Sequence, residues 1–222
     1  MVISAVRLAA RARGARLLHP RGRTFTGALV TFGSREHRWG AALLDEPATH
    51  PATVRMSKGA PTPPGWPDVL GLAVRVELAG GPADLLLSTC PAIPLLRHLP
   101  LPRRTFGGRY GTLLAYRAGG RRIFLATQPE PDLGRTLDEV VRAATGPGIQ
   151  LTLAAATRWG TWRSFGALRF GPLLPAGTDQ GIAFDAWTNH APGLEPVGWV
   201  QRARHGVYRA SQQGRGARPP GL

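Results

Sequence analysis

Residues 111–127 read Gly111-Thr-Leu-Leu-Ala-Tyr-Arg117-Ala-Gly119-Gly120-Arg-Arg122-Ile-Phe-Leu-Ala-Thr127. Two apolar-rich stretches, Gly111–Arg117 and Arg122–Thr127, flank a pair of glycines that both reach positive φ without steric cost, so the segment predicts a β-hairpin. Moving outward, the same chemistry recurs at Phe25–Phe32, Trp39–Leu44, Leu70–Leu78, Ala83–Ser88, Leu151–Ala156, Ser164–Phe170 and Gly181–Asp185. In these stretches apolar residues occupy alternate positions or form brief continuous runs, the mark of strands with one or both faces buried. Many short strands, one tight hairpin and few helices predict an antiparallel barrel or sandwich.

Two helices interrupt the pattern. Thr136 with Glu139 three residues later has the form of a capping box; Leu137, Val140, Val141 and Ala144 make one apolar face, and Gly146 follows as a stop. The second helix is predicted over Val200–Gln213, after the Pro192–Pro196 turn. Its Gly206 lowers intrinsic helix stability by about 1 kcal/mol relative to alanine, so packing or a ligand must hold it. Pro61–Pro67 reads as a loop and Gly214–Leu222 as a frayed end, with no internal repeat.

The chain has 222 residues, 43% of them hydrophobic and 18% charged, which fits one large folded domain and excludes a disordered one. A lone cysteine, Cys90, excludes an internal disulfide framework and every Cys-based zinc or iron–sulfur cluster, and it favours a reducing, cytoplasmic compartment. Arginine, proline or glycine interrupts each apolar run before the roughly 20 residues of a membrane span. Val2–Leu18 is Arg-rich and acid-free but lacks the apolar core of a signal peptide, so it reads as an amphipathic arm.

The formal net charge is +15, and Lys58 is the only lysine. Such a field attracts polyanions without specificity. The arginines are scattered through the chain, and aromatics do not interleave with them as a nucleic-acid stacking platform requires. Much of the excess therefore reads as compositional bias. His37, His50, His98, His190 and His205 lack zinc-ligand spacing, and the Gly80-Gly81, Gly107-Gly108 and Gly119-Gly120 pairs lack the frame of a phosphate loop. Cys90 reads as a small core hydrophobe and the Trp159–Trp162 pair as strand packing.

One constellation carries chemistry. The predicted second helix sets Arg204 and Tyr208 at i and i+4, with Arg215 seven residues beyond the tyrosine. A guanidinium one turn from a phenol favours the phenolate, a hard ligand for ferric iron; the plain alternative is a surface tyrosine on a basic helix.

Several separated motifs weigh on that choice. They are Arg16-Leu-Leu-His19-Pro-Arg-Gly22, Val54-Arg55-Met-Ser57, Asp68-Val-Leu-Gly71-Leu-Ala73-Val-Arg75 and Asp84-Leu85 through Pro91. Later come Ile182-Ala-Phe-Asp185, Pro192-Gly-Leu-Glu-Pro196, Arg204-x-x-x-Tyr208 and Arg215. In order and spacing this series resembles the haem catalases over most of residues 14–216.

The resemblance implies an α+β fold: an antiparallel β-barrel of the haem-catalase type with few helices and a C-terminal arm plus helix. It divides the chain into an N-terminal arm with the distal His motif (1–24), a barrel with a short helical insertion (25–185), and a wrapping arm with the proximal helix (186–222). It implies haem b as cofactor, Tyr208 as iron ligand, Arg204 holding it as phenolate, and His19 as distal acid/base. Arg16, Arg55 and Arg215 match positions beside the haem carboxylates or porphyrin, and Ser57 one that hydrogen-bonds the distal imidazole.

The chain is shorter than a typical catalase, mainly between Pro91 and Gly111, so a more open pocket is expected. Counting from Asp84 puts Thr89 where the family has an orienting asparagine. The implied function is hydroperoxide processing, catalase-like or peroxidase-like, on hydrogen peroxide or an organic hydroperoxide, with homo-oligomerisation open. The other class is a haem-free barrel serving as a polyanion-binding protein or a phosphodiester-directed enzyme.

Overall fold

The computed structural model describes residues 21–33 and 37–197. Its strands are β1 (Arg21–Phe32), β2 (Pro47–Lys58), β3 (Leu70–Leu78), β4 (Gly81–Thr89), β5 (Tyr110–Gly111), β6 (Tyr116–Ala118), β7 (Arg121–Thr127), β8 (Gln150–Thr157), β9 (Arg163–Leu173) and β10 (Glu195–Pro196). The helices are α1 (Ala42–Asp45), α2 (Leu137–Thr145) and α3 (Thr178–Gly181), with a 3₁₀ turn at Pro94–Leu96. Pairing runs β5-β4-β3-β2-β1-β9-β8, and β7 joins both β5 and β8. Eight antiparallel strands thus close a barrel, while β6 and β10 extend from β7. Closure leaves no exposed ladder edge around the ring.

The alternation of β3 explains its place. Leu70, Leu72, Val74 and Val76 join the core with Phe25, Leu29, Val54 and Met56, while Gly71, Ala73, Arg75 and Glu77 face outward. The hairpin forms as expected: Ala118 pairs with Arg121, and Gly119 and Gly120 have φ of 52° and 77°. Helix α2 has its capping box, with Thr136 Oγ1 accepting from Glu139 N and the Glu139 carboxylate accepting from Thr136 N. Val140 is fully buried, and Leu137, Val141 and Ala144 pack against the barrel core.

Three strand expectations need correction, and one strand is unexpected. Trp39–Leu44 is a turn leading into α1, because the Asp45 carboxylate accepts from Trp39 N and Gly40 N and bends the chain. Gly181–Asp185 is α3 followed by irregular chain, because Asp185 accepts from Trp187 N and organises a turn. Gly111–Arg117 is broken into β5 and β6; Leu125 N donates to Thr112 Oγ1, substituting a side chain for the ladder. The whole of β2 was absent from the sequence reading. Its Pro47 and Pro51 sit in the half that pairs with β1 but not with β3, the β2–β3 ladder starting only at Ala52, so both prolines lie beyond that ladder. The predicted Val2–Leu18 arm and Val200–Gln213 helix lie outside the described residues.

Candidate functional site

Register places one row of residues on the outer face of β1–β4. Gly22 pairs with Ser57, Ser57 with Gly71, and Gly71 with Ser88; one step along, Thr24 pairs with Arg55 and Arg55 with Ala73. These are the alternates of the core residues Phe25, Val54, Met56, Leu72 and Leu87, so they face away from the barrel interior. Yet Thr24, Arg55 and Ser57 are only 3–4% exposed.

The composition of this face is unusual. Gly22, Ser57, Gly71, Ala73 and Ser88 are all small and make a shallow floor. Arg55 crosses it toward β1, and a β-carbon at Gly22 would stand 2.5 Å from its Cζ and Nη2, so glycine is what lets the guanidinium lie flat. The Ser57 hydroxyl donates to the Gly71 carbonyl at 3.4 Å. Thr24 Oγ1 is buried and finds no hydrogen-bond partner among the described residues, a cost of about 1–3 kcal/mol if nothing else meets it. A flat floor, a cation at 3% exposure and an orphan hydroxyl fit a flat apolar group carrying carboxylates.

Beside this face, Asp84 organises a clasp. Arg75 donates to it twice, Nε to Oδ1 at 2.8 Å and Nη2 to Oδ2 at 2.7 Å. Asp185 N and Asn189 Nδ2 donate to Oδ2 at 2.7 and 2.8 Å, and Arg75 Nη2 reaches the Ala183 carbonyl at 2.7 Å. Burial pulls the Arg75 pKa down, but the hydrogen bonds and charge of Asp84, with smaller help from Glu77 and Asp185, carry it above its ordinary value. Phe184 lies 5.3 Å from the guanidinium. The clasp holds residues 183–189 to β3 and β4; Asp84, Arg75 and Asp185 stand in separate sequence motifs whose spacing does not disclose this task.

Of the residues singled out from sequence, the structure brings Arg55 and Ser57 together. Thr89 is not with them. It is fully buried on the inward face, paired with the core residue Tyr110, and its Oγ1 accepts from Leu70 N at 3.1 Å. The β4 residue on the shared face is Ser88. The inward run Ala83, Leu85, Leu87 carried the signal, since parity sends 88 outward and 89 inward. His19, Arg16, Arg204, Tyr208 and Arg215 lie outside the described residues. Gly22 and Thr24 were missed as site residues because neither carries charge.

No cluster of His, Cys, Asp and Glu able to hold a metal occurs among the described residues. Burial pushes the Cys90 thiol up to about 11, more than Arg109, Arg103 and Arg97 lower it, so the group stays a neutral thiol at ordinary pH.

No protein-family model and no curated protein sequence matches the chain. Solved structures do. A bacterial catalase superposes with a TM-score of 0.69 at 15% identity, covering 97% of this chain and 62% of its own. Catalase A from Saccharomyces cerevisiae gives 0.71 at 13% identity, with 95% and 63% covered, and a fungal catalase gives 0.71 at 13%, with 94% and 61% covered. The fold is therefore the catalase-type β-barrel, and the chain spans less than two thirds of these relatives' length.

Proposed function

We propose, with the catalase-type barrel as premise, that the protein holds haem b against the outer face of β1–β4 and processes hydrogen peroxide or an organic hydroperoxide. The observation that carries this is Arg55, buried at 3% exposure and laid flat across Gly22 on a floor of small residues. Haem, when bound, supplies an iron that exchanges electrons with the peroxide.

The remaining work falls to this chain's own side chains. Arg55 meets a propionate, joined on the strength of the sequence resemblance by Arg16 and Arg215; a carboxylate taken from water requires such partners. His19 accepts the proton of the hydroperoxide and returns it to the departing oxygen, as general base and then general acid. Ser57 fixes the orientation of the His19 imidazole by a hydrogen bond, the role the sequence resemblance implies for it. Ser88 offers a single hydroxyl on the same face, a shorter donor than a carboxamide. Tyr208, kept as phenolate by Arg204, is the iron ligand.

The test is the colour of the full-length protein expressed with adequate iron and haem precursor. A Soret band is expected, and Tyr208→Phe should lose most bound haem while keeping the fold, since the ring's packing survives. Arg55→Ala should weaken haem retention more mildly. A colourless protein that haem fails to reconstitute would overturn the reading and leave the haem-free class.

A further inference from the structure

Residues 91–101 leave β4, run outside the barrel and return, with Leu101 N donating to the Thr89 carbonyl at 2.7 Å. Pro91, Pro94, Pro100 and the adjoining Pro102 stiffen the excursion. Its polarity is inverted. Arg97 is 2% exposed, whereas Ile93, Leu95, Leu96 and Leu99 are 38–59% exposed. Arg97 Nη1 donates to the Thr157 carbonyl at 3.0 Å, Nη2 to that of Gly160 at 3.3 Å, and the guanidinium stacks 4.6 Å from the Trp162 ring. These bonds fix the excursion beside the 158–161 turn, where Trp159 is 67% exposed. A segment that turns its arginine inward and its leucines outward is shaped for an apolar partner.

Charge decides which partner. Residues 85–178 contain twelve arginines against four acidic residues, Glu130, Asp132, Asp138 and Glu139, a net charge of +8. They build β5–β9, the part of the ring opposite the Arg55 face. The apolar side chains therefore stand in a field whose net sign is positive. A second copy would bring that field against itself and be repelled. A surface that is anionic outside and apolar beneath satisfies both features. We propose that this excursion docks the protein on an anionic lipid surface, with Ile93, Leu95, Leu96 and Leu99 among the acyl chains and Trp159 at headgroup level. The docking is interfacial; no helix among the described residues is long and apolar enough to cross a membrane.

The test is co-sedimentation of the full-length protein with phosphatidylcholine vesicles, alone or with about 30% phosphatidylglycerol. Binding should require the anionic lipid, and Leu95→Glu with Leu96→Glu should weaken it about tenfold while thermal unfolding stays unchanged, since both side chains are exposed. Brominated acyl chains should quench tryptophan fluorescence, less so in Trp159→Phe. Three results would overturn the proposal. They are equal binding by the double variant with full competition by duplex DNA, which reports adsorption of scattered arginines only; no vesicle binding; or a dimer in solution that the double variant abolishes.

Discussion

Arg55 occupies the space that a side chain at Gly22 would need: a β-carbon there would sit 2.5 Å from its Cζ and Nη2. Gly22→Ala must displace the guanidinium, and overpacking of this kind costs about 1–3 kcal/mol. The penalty should largely vanish in an Arg55→Ala background, where nothing remains to displace. Urea unfolding of the four proteins of this cycle measures it. Equal penalties in both backgrounds would detach Gly22 from Arg55.

The Asp84 carboxylate, with no exposed side-chain surface, holds Arg75, Asp185 N and Asn189 Nδ2 at once. Asp84→Ala leaves a half-buried guanidinium and two donors without their acceptor, so a loss of about 3–5 kcal/mol is expected. Because the clasp pins 183–189, limited proteolysis should also begin to cut that segment. A variant within about 1 kcal/mol of the parent, uncut there, would show that the segment is held by other means.

The Glu139 carboxyl is held below the usual range because the N–H groups of Arg135 and Thr136, chiefly, and the Thr136 hydroxyl donate to its charged form. A folded pKa below the unfolded value of about 4.3 means that its contribution is complete above that value and is lost as pH falls through the folded one. The stability gap between the parent and Glu139→Gln should therefore be constant near neutrality and shrink in acid. Chemical unfolding at a series of pH values reads it directly, and a gap that widens in acid would contradict the assignment.

How much of this was legible depends on how many signals coincide at each element. Leu70–Leu78 has strict alternation and α2 has cap, stripe and glycine stop, so both were read to within a residue or two. Strand β2 was missed because two prolines, a histidine and threonines fill its first half, and only the pairing register shows that this half lies beyond β3. Trp39–Leu44 imitated a strand because its apolar residues pack in the core from a turn that Asp45 ties together, an arrangement without period.

The site divides similarly. Arg55 and Ser57 stood out through resemblance, but the reason a charge can be buried there is the absence of a side chain at Gly22, and absence leaves no mark in a list of chemical groups. The Asp84 clasp joins residues about a hundred positions apart, a relation that local pattern cannot supply.

Parity along β4 yields the sharpest separation of two neighbouring residues. Thr89 fills a sealed inward position and satisfies Leu70 N, so Thr89→Val, which keeps the shape and removes the acceptor, should cost about 1–3 kcal/mol. Thr89→Asn should cost at least as much, because a longer polar side chain must enter the same closed space. Ser88 is half-buried on the outer face, and Ser88→Asn should stay within about 0.5 kcal/mol of the parent. If haem lies on that face, Ser88→Asn is also the change that should raise peroxide dismutation relative to donor oxidation, since only its amide can reach peroxide there. Urea unfolding separates the two stability outcomes, and oxygen evolution against donor oxidation separates the chemistry. A stable Thr89→Asn that alters peroxide chemistry, beside a silent Ser88→Asn, would reverse the assignment of faces on which the Ser88 role depends.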